Sequence, residues 1–180
     1  MSNRYKVAVV GLGKIGLPLA AQFASAGIPV VGCDISQRVV DAVNAGVSHI
    51  EEEAGLKERV AQAVREGYLS ATTDTAGAVR GCNVVVVIVP LLVDKARVID
   101  YAAIDAATAS VAAGLQKGTL VVYETTLPVG TTRTRFVPAL EMGSGLTLGR
   151  DFHVAFSPER VYSGRIFQDL QQYPKVLGGL

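Results

Sequence analysis

The sequence has little of what staples or metallates a small protein. It contains two cysteines, Cys33 and Cys82, and two histidines, His49 and His153. Two thiols make no disulfide framework and have no zinc-type spacing, so packing must hold the fold. The histidines have no partner spacing either, and no metal is expected. There is no tryptophan, so ligand binding is best followed by calorimetry or a dye. Neither charge sign dominates: 17 basic and 16 acidic side chains leave a net charge of +1. The basic residues are scattered, which excludes a nucleic-acid groove and an anionic membrane surface as partners. The longest apolar run, residues 84–93, contains Pro90 and is too short to span a bilayer. Residues 1–6 run directly into a strand pattern without a signal peptide. A reducing, cytoplasmic setting is expected.

What remains is a chain with 49% hydrophobic and 18% charged residues. That is a globular composition, and 180 residues suffice for one domain with its own core. Residues 5–10 read as a buried strand ending at glycine. Residues 13–26 read as a helix with Ile15, Leu19, Ala20 and Phe23 on one face, Pro18 in its first turns and Gly27 at its end. A second strand, 28–33, closes at Asp34. Ser36 is expected to cap a helix that runs to about Ala45 and stops at Gly46. Glu51, Glu52 and Glu53 read as a solvated loop, followed by an amphipathic helix over 56–66. A short strand (69–72), a small helix from Asp74 to Gly81 and a β-branched strand (83–89) follow. Residues 101–115 form an alanine-rich helix, 119–124 a strand, 131–140 a helix and 152–156 a last strand. The stretch 142–149, rich in Gly, Ser and Leu, most resembles a linker. Alternating strands and helices predict an α/β fold with a mainly parallel sheet, right-handed crossovers and helices on both faces.

Between the first strand and the first helix stands Gly11-Leu12-Gly13-Lys14-Ile15-Gly16, a G-x-G-x-x-G pattern in the strand–turn–helix context that gives it meaning. Gly11 makes the tight turn, Gly13 lets backbone approach a pyrophosphate, and Gly16 lets the helix pack on the sheet. The helix N-terminus then faces the phosphates with its amides and dipole. Asp34 sits where an acid is expected, roughly 20 residues on, to accept the ribose hydroxyls. Its charge would repel a 2′-phosphate, so the cofactor is expected to be NAD rather than NADP. Arg38, one turn further, is the group that would neutralise such a phosphate. Together these features define a Rossmann-type, doubly wound domain.

Three further segments resemble the UDP-glucose/GDP-mannose dehydrogenase family. They are the opening, from Val9 through the glycines to Leu17-Pro18-Leu19-Ala20; Glu124-Thr125-Thr126-Leu127-Pro128-Val129-Gly130-Thr131-Thr132; and Phe156-Ser157-Pro158-Glu159-Arg160. Asn44-Ala45-Gly46 before the acidic loop matches as well, and the likeness covers essentially the whole chain. Members oxidise C6 of a nucleotide-sugar hexose from alcohol to carboxylate with two NAD. The aldehyde is held on a cysteine, oxidised to a thioester and hydrolysed. The resemblance implies that Thr126 orients water and that Glu159 acts as a base. It places Lys14, Ile15, Val89, Pro90 and Thr126 beside the cofactor, with Gly11, Gly13, Gly16, Asp34 and Arg38.

The pattern is not followed everywhere. Val89-Pro90-Leu91-Leu92 lacks the threonine that many members carry there. Ser163 stands where UDP-glucose-oxidising members often have a second glutamate, and Val39 where a lysine often follows the ribose-binding acid. These departures resemble the branch that handles UDP-N-acetylhexosamines. Cys33 and Cys82 read as small buried hydrophobes, not nucleophiles. The resemblance puts the catalytic cysteine in a C-terminal domain beyond Leu180. The chain, residues 1–180, is therefore expected to be an NAD-binding fragment, inactive alone, of an enzyme that is homo-oligomeric at full length and takes a UDP-sugar. Two other readings stay open: a β-hydroxyacid dehydrogenase domain, and a non-catalytic module that senses NAD or NADH.

Overall fold

The computed structural model describes residues 5–180; residues 1–4 of the segment read above for a signal peptide lie outside the described residues. The strands are β1 (Val7–Val10), β2 (Val30–Cys33), β3 (Leu69–Thr72), β4 (Val84–Val87), β5 (Leu92–Val93), β6 (Ile99–Asp100), β7 (Leu120–Tyr123), β8 (His153–Phe156) and β9 (Gly178–Gly179). The helices are α1 (Gly16–Ser25), α2 (Gln37–Asn44), α3 (Leu56–Arg65), α4 (Thr75–Arg80), α5 (Ala102–Gly114), α6 (Val137–Ser144) and α7 (Ile166–Gln172). The main sheet has the order β3-β2-β1-β4-β7-β8-β9. It is parallel except for β9, which runs antiparallel to β8. The strand order reverses between β1 and β4, and ligands of open α/β sheets bind outside the strand ends at such a reversal.

Alternation along β1 divides the core. Val7 and Val9 join α1 and α3 on one face through Leu17, Ala20, Leu56 and Val60. Ala8 and Val10 join the opposite face with Val79, Ile104, Val111 and Leu140. Successive strand residues point to opposite faces, so a strand apolar at every position must be covered on both. This arrangement is the doubly wound α/β fold expected from the pattern.

Local differences from the sequence reading have identifiable causes. Helix α1 opens at Gly16 rather than 13, because Gly11 turns the chain at φ +99° and the loop completes itself first. Ser36 makes no side-chain cap; its amide instead donates to Asp34 Oδ1 at 2.9 Å. Asp74 does cap α4, accepting from the Gly77 amide at 2.8 Å. The helix expected over 131–140 begins as a π-helical turn, Thr132–Phe136, before α6. The β5–β6 hairpin, α7 and β9 are additions that periodicity did not reveal, the strands being only two residues long.

The supposed linker is also tied down. Ser144 ends α6, the Leu148 amide donates to Glu141 Oε1 at 3.0 Å, and Leu148 bridges to Phe152. The buried carboxylate of Asp151 accepts from Arg150, from the Thr147 amide and from Lys117. Arg150 first, then Thr147 and Lys117, hold its carboxyl well below the usual carboxylate range. A depressed folded value contributes stability above the unfolded value, and that contribution is lost as pH falls through the folded one. Asp151→Asn is therefore expected to destabilise the chain at pH 6, and by progressively less as pH falls below about 4. Urea midpoints from pH 6 to 2 would check this; a difference from wild type that is flat with pH would refute it.

Candidate functional site

At the carboxyl ends of β1, β2, β4 and β7 lies a cleft of about 860 Å³. Gly11, Gly13, Lys14, Ile15 and Gly16 line its middle. Asp34, Ile35 and Thr75 line one end. Glu124, Thr125, Thr126 and Glu159 line it elsewhere, with Ile88, Val89 and Pro90 also on its wall. Ala103, Ala106, Ala107 and Ser110 present the side of α5, an apolar surface suited to a flat aromatic ring. The structure thus gathers into one cleft all the residues expected beside the cofactor except Arg38. Arg38 is exposed on α2 and outside the cleft lining.

The three glycines are held for different reasons. A Cβ on Gly11 would lie 3.2 Å from the Ile88 carbonyl oxygen, in a left-handed backbone that favours glycine. A Cβ on Gly16 would lie 1.8 Å from the Gly11 carbonyl oxygen. A Cβ on Gly13 would meet nothing within 4 Å, so the protein's own packing does not require glycine there. The side chain missing from Gly13 leaves space on the cleft, as a cradle for phosphate demands.

Asp34 is aimed by backbone. The Leu12 amide donates to Oδ2 at 3.0 Å and the Ser36 amide to Oδ1 at 2.9 Å. The carboxylate is thereby fixed to the glycine loop. Lys14 pairs with Glu52, and this partner holds Glu52 down to about 2. Cys33 lies under the cleft, fully buried; burial pushes its thiol up to about 12, against a smaller opposing hydrogen bond from Thr75. Cys82 is likewise raised by burial. In both, burial disfavours the thiolate, the form that reacts as a nucleophile.

Beyond Thr126 the structure adds groups that sequence reasoning missed. Glu124, immediately past β7, is buried, and burial raises its carboxyl, with Glu159 adding to the rise and Lys175 opposing it. Lys175 Nζ lies 3.1 Å from Glu124 Oε2 and 2.8 Å from Glu159 Oε2. Glu159 Oε1 accepts from the amides of Arg160 at 2.8 Å and Val161 at 3.2 Å. Glu124's position at a strand end, directly before the two threonines, was an available signal. Lys175 offered none.

Glu53 corrects the reading of a solvated acidic loop. Glu51 and Glu52 are exposed, but Glu53 is 4% exposed. Its Oε2 accepts from the Gly164 amide at 2.9 Å and its Oε1 from the Phe167 amide at 3.4 Å. The acidic loop thus clasps the segment that follows Glu159.

Residues 5–180 match the UDP-glucose/GDP-mannose dehydrogenase family, NAD binding domain. The chain belongs to this family. Among its relatives, the UDP-N-acetyl-D-mannosamine dehydrogenase of Pyrococcus horikoshii is 40% identical over 177 residues, which cover 97% of this chain and 41% of that protein. A ternary complex of GDP-mannose dehydrogenase from Pseudomonas aeruginosa superimposes with a TM-score of 0.92 at 29% identity, covering 97% of this chain and 41% of that one. The structure of the Pyrococcus horikoshii enzyme gives 0.90 at 38% identity, with the same coverages. The chain therefore spans about two-fifths of the length of the relatives it matches. It is a family NAD-binding domain, and NAD is its cofactor. No helix among the described residues is long and apolar enough to cross a membrane, and no group of three or more potential ligands among them could hold a metal.

Proposed function

We propose that this chain supplies the cofactor half of a dehydrogenase that oxidises C6 of a UDP-N-acetylhexosamine to the uronate, with two NAD per sugar. The observation that carries the reading is the single cleft that joins Asp34 to Thr126 and Glu159 across the glycine loop. In this reading Asp34 binds the adenosine ribose. Gly11, Gly13, Lys14, Ile15 and Gly16 bind the pyrophosphate, and Val89, Pro90 and Thr126 flank the nicotinamide. NAD, when bound, supplies the hydride acceptor. Thr126 is exposed at the cleft mouth and would orient the water that releases the acid. Glu159 would take its proton. The acetamido sugar is favoured by Ser163 standing in place of a second glutamate, and by curated relatives called UDP-N-acetyl-D-mannosamine dehydrogenase at 37–40% identity. The reading carries with it the rest of the family's chain, a homo-oligomer, and a cytoplasmic setting in keeping with two free thiols.

The cofactor part is tested on this chain by calorimetric melting with NAD and NADP. NAD at about 100 times its dissociation constant stabilises by roughly 2.7 kcal/mol, about 5–10 °C here. NADP should shift the melt little. Asp34→Asn removes the charge that opposes a 2′-phosphate and should lower the preference for NAD about tenfold, or about 1.4 kcal/mol. Equal binding of NAD and NADP by the wild-type chain would refute the role given to Asp34. The substrate part is tested on the full-length protein, which should form two NADH per UDP-N-acetylmannosamine and far less with UDP-glucose.

A further inference from the structure

We propose that Lys175 is a positioning residue: it clamps Glu124 and Glu159 together and so fixes the Glu159 carboxylate at the Thr126 side of the cleft. The inference rests on the role given to Glu159 above, and the geometry comes from the antiparallel return of β9. Phe156 pairs with Gly178. Three residues outward along each strand from that pair stand Glu159 and Lys175, so the register itself sets them opposite one another. Their side chains meet at 2.8 Å, although no ladder hydrogen bond continues that far. The same ammonium reaches Glu124 at 3.1 Å, at the end of β7 and one residue from Thr125. One cation thus joins the two segments that resemble family motifs, whose strands β7 and β8 are paired.

The need for it is electrostatic. Glu124 is buried and Glu159 has 12% of its side chain exposed. Two adjoining carboxylates in such a place do not both ionise without a counter-charge. The groups facing the pair are few. The Arg160 guanidinium is directed away, to the Pro174 carbonyl, and among the described residues the ion pairs of both carboxylates are with Lys175. Lys175 accordingly has its ammonium form favoured: burial works against it, but Glu159 and Glu124 outweigh that and raise its value. Lys175 supplies that counter-charge to both carboxylates. Without it, the pair would hold one proton between them.

The test is a carboxyl-carbon NMR titration of this chain with labelled glutamate, in wild type, Lys175→Met and Lys175→Arg. Glu124→Gln and Glu159→Gln assign the carboxyl signals. In Lys175→Met one proton should stay on the pair to an apparent pKa about one unit or more above the upper step of the same pair in wild type. Arginine should restore the wild-type profile, which a purely space-filling role would not require. Titration steps of the pair that are unchanged in a folded Lys175→Met chain overturn the proposal. Should that variant fail to fold, the wild-type lysine signals decide. Lys175 must deprotonate above the exposed lysines and shift in Glu159→Gln; titration together with them overturns the proposal equally. None of these readouts needs NAD. A chain that binds no NAD therefore damages the functional reading alone, and unchanged carboxylates in a chain that binds NAD sink only the role of Lys175.

Discussion

Gly16→Ala is expected to cost this chain about 3 kcal/mol or more of stability, at the upper end for overpacking. The new Cβ would lie 1.8 Å from the Gly11 carbonyl oxygen, 2.9 Å from its carbon and 2.8 Å from Ile88 Cγ2. The first two are backbone atoms of the turn that begins the glycine loop, so no rotamer change relieves them. Either α1 moves off the sheet or the loop deforms, and both separate Leu17 and Ala20 from the core they share with β1. For a domain of this size the melting point should fall by about 6–12 °C. Gly13→Ala is the matched control with the opposite signature. Its Cβ meets no protein atom within 4 Å, so the ligand-free melting point should stay within about 2 °C of wild type, as for a substitution without packing consequences. NAD affinity should nevertheless drop more than about tenfold, because the methyl group occupies the approach to the pyrophosphate. Calorimetric melts of both variants, with and without NAD, separate the two effects. A Gly16→Ala chain that melts like wild type, or a Gly13→Ala chain that binds NAD normally, would contradict the assignment of these glycines.

Glu53→Ala should loosen the segment that follows Glu159. The carboxylate accepts two amides from far along the chain, Gly164 at a separation of 111 residues and Phe167 at 114. Removing it leaves a buried amide at Phe167 and a partly buried one at Gly164 without their acceptor. Each hydrogen bond to a charged group contributes about 1.5–3 kcal/mol, less where solvent can replace it. A loss of about 2–4 kcal/mol is expected. Hydrogen exchange is the informative measurement, because local opening is read segment by segment. Residues 160–167 should lose protection by about two orders of magnitude or more, while β1 and β4 change far less. Glu53→Gln, which keeps one acceptor, should fall between. Glu51→Ala, at the exposed neighbour, should be nearly silent. Uniform loss of protection across the sheet, or none in 160–167, would contradict the clasp.

These expectations differ in how far the sequence had already reached them. The glycine loop and Asp34 were legible because their rules are local. A turn at positive φ, a close helix–strand approach and an acid at a strand end each depend on a few neighbouring residues and the strand they follow. Even there the structure added that Asp34 is aimed by the Leu12 and Ser36 amides, Ser36 acting through its backbone and not as a side-chain cap. Glu53 was not legible. Three consecutive glutamates look alike in any local window, and which one is buried depends on amides more than a hundred residues away. Residues 142–149 looked like a linker for the same reason, since the anchors of that turn are Glu141 and Asp151 at its two ends.

By itself, the sequence determined the doubly wound sheet, the place of the cleft and the dinucleotide it binds. Burial of β-branched strands on both faces and the glycine turn leave few alternatives, and short-range sterics enforce them. Only the tertiary structure decided how the far side of the cleft is assembled. Lys175 reaches Glu159 through a two-residue strand of glycines, a segment too short and too bare to carry any periodic signal. The charges that meet there are brought together by strand register and by desolvation, both properties of the folded chain rather than of any stretch of it.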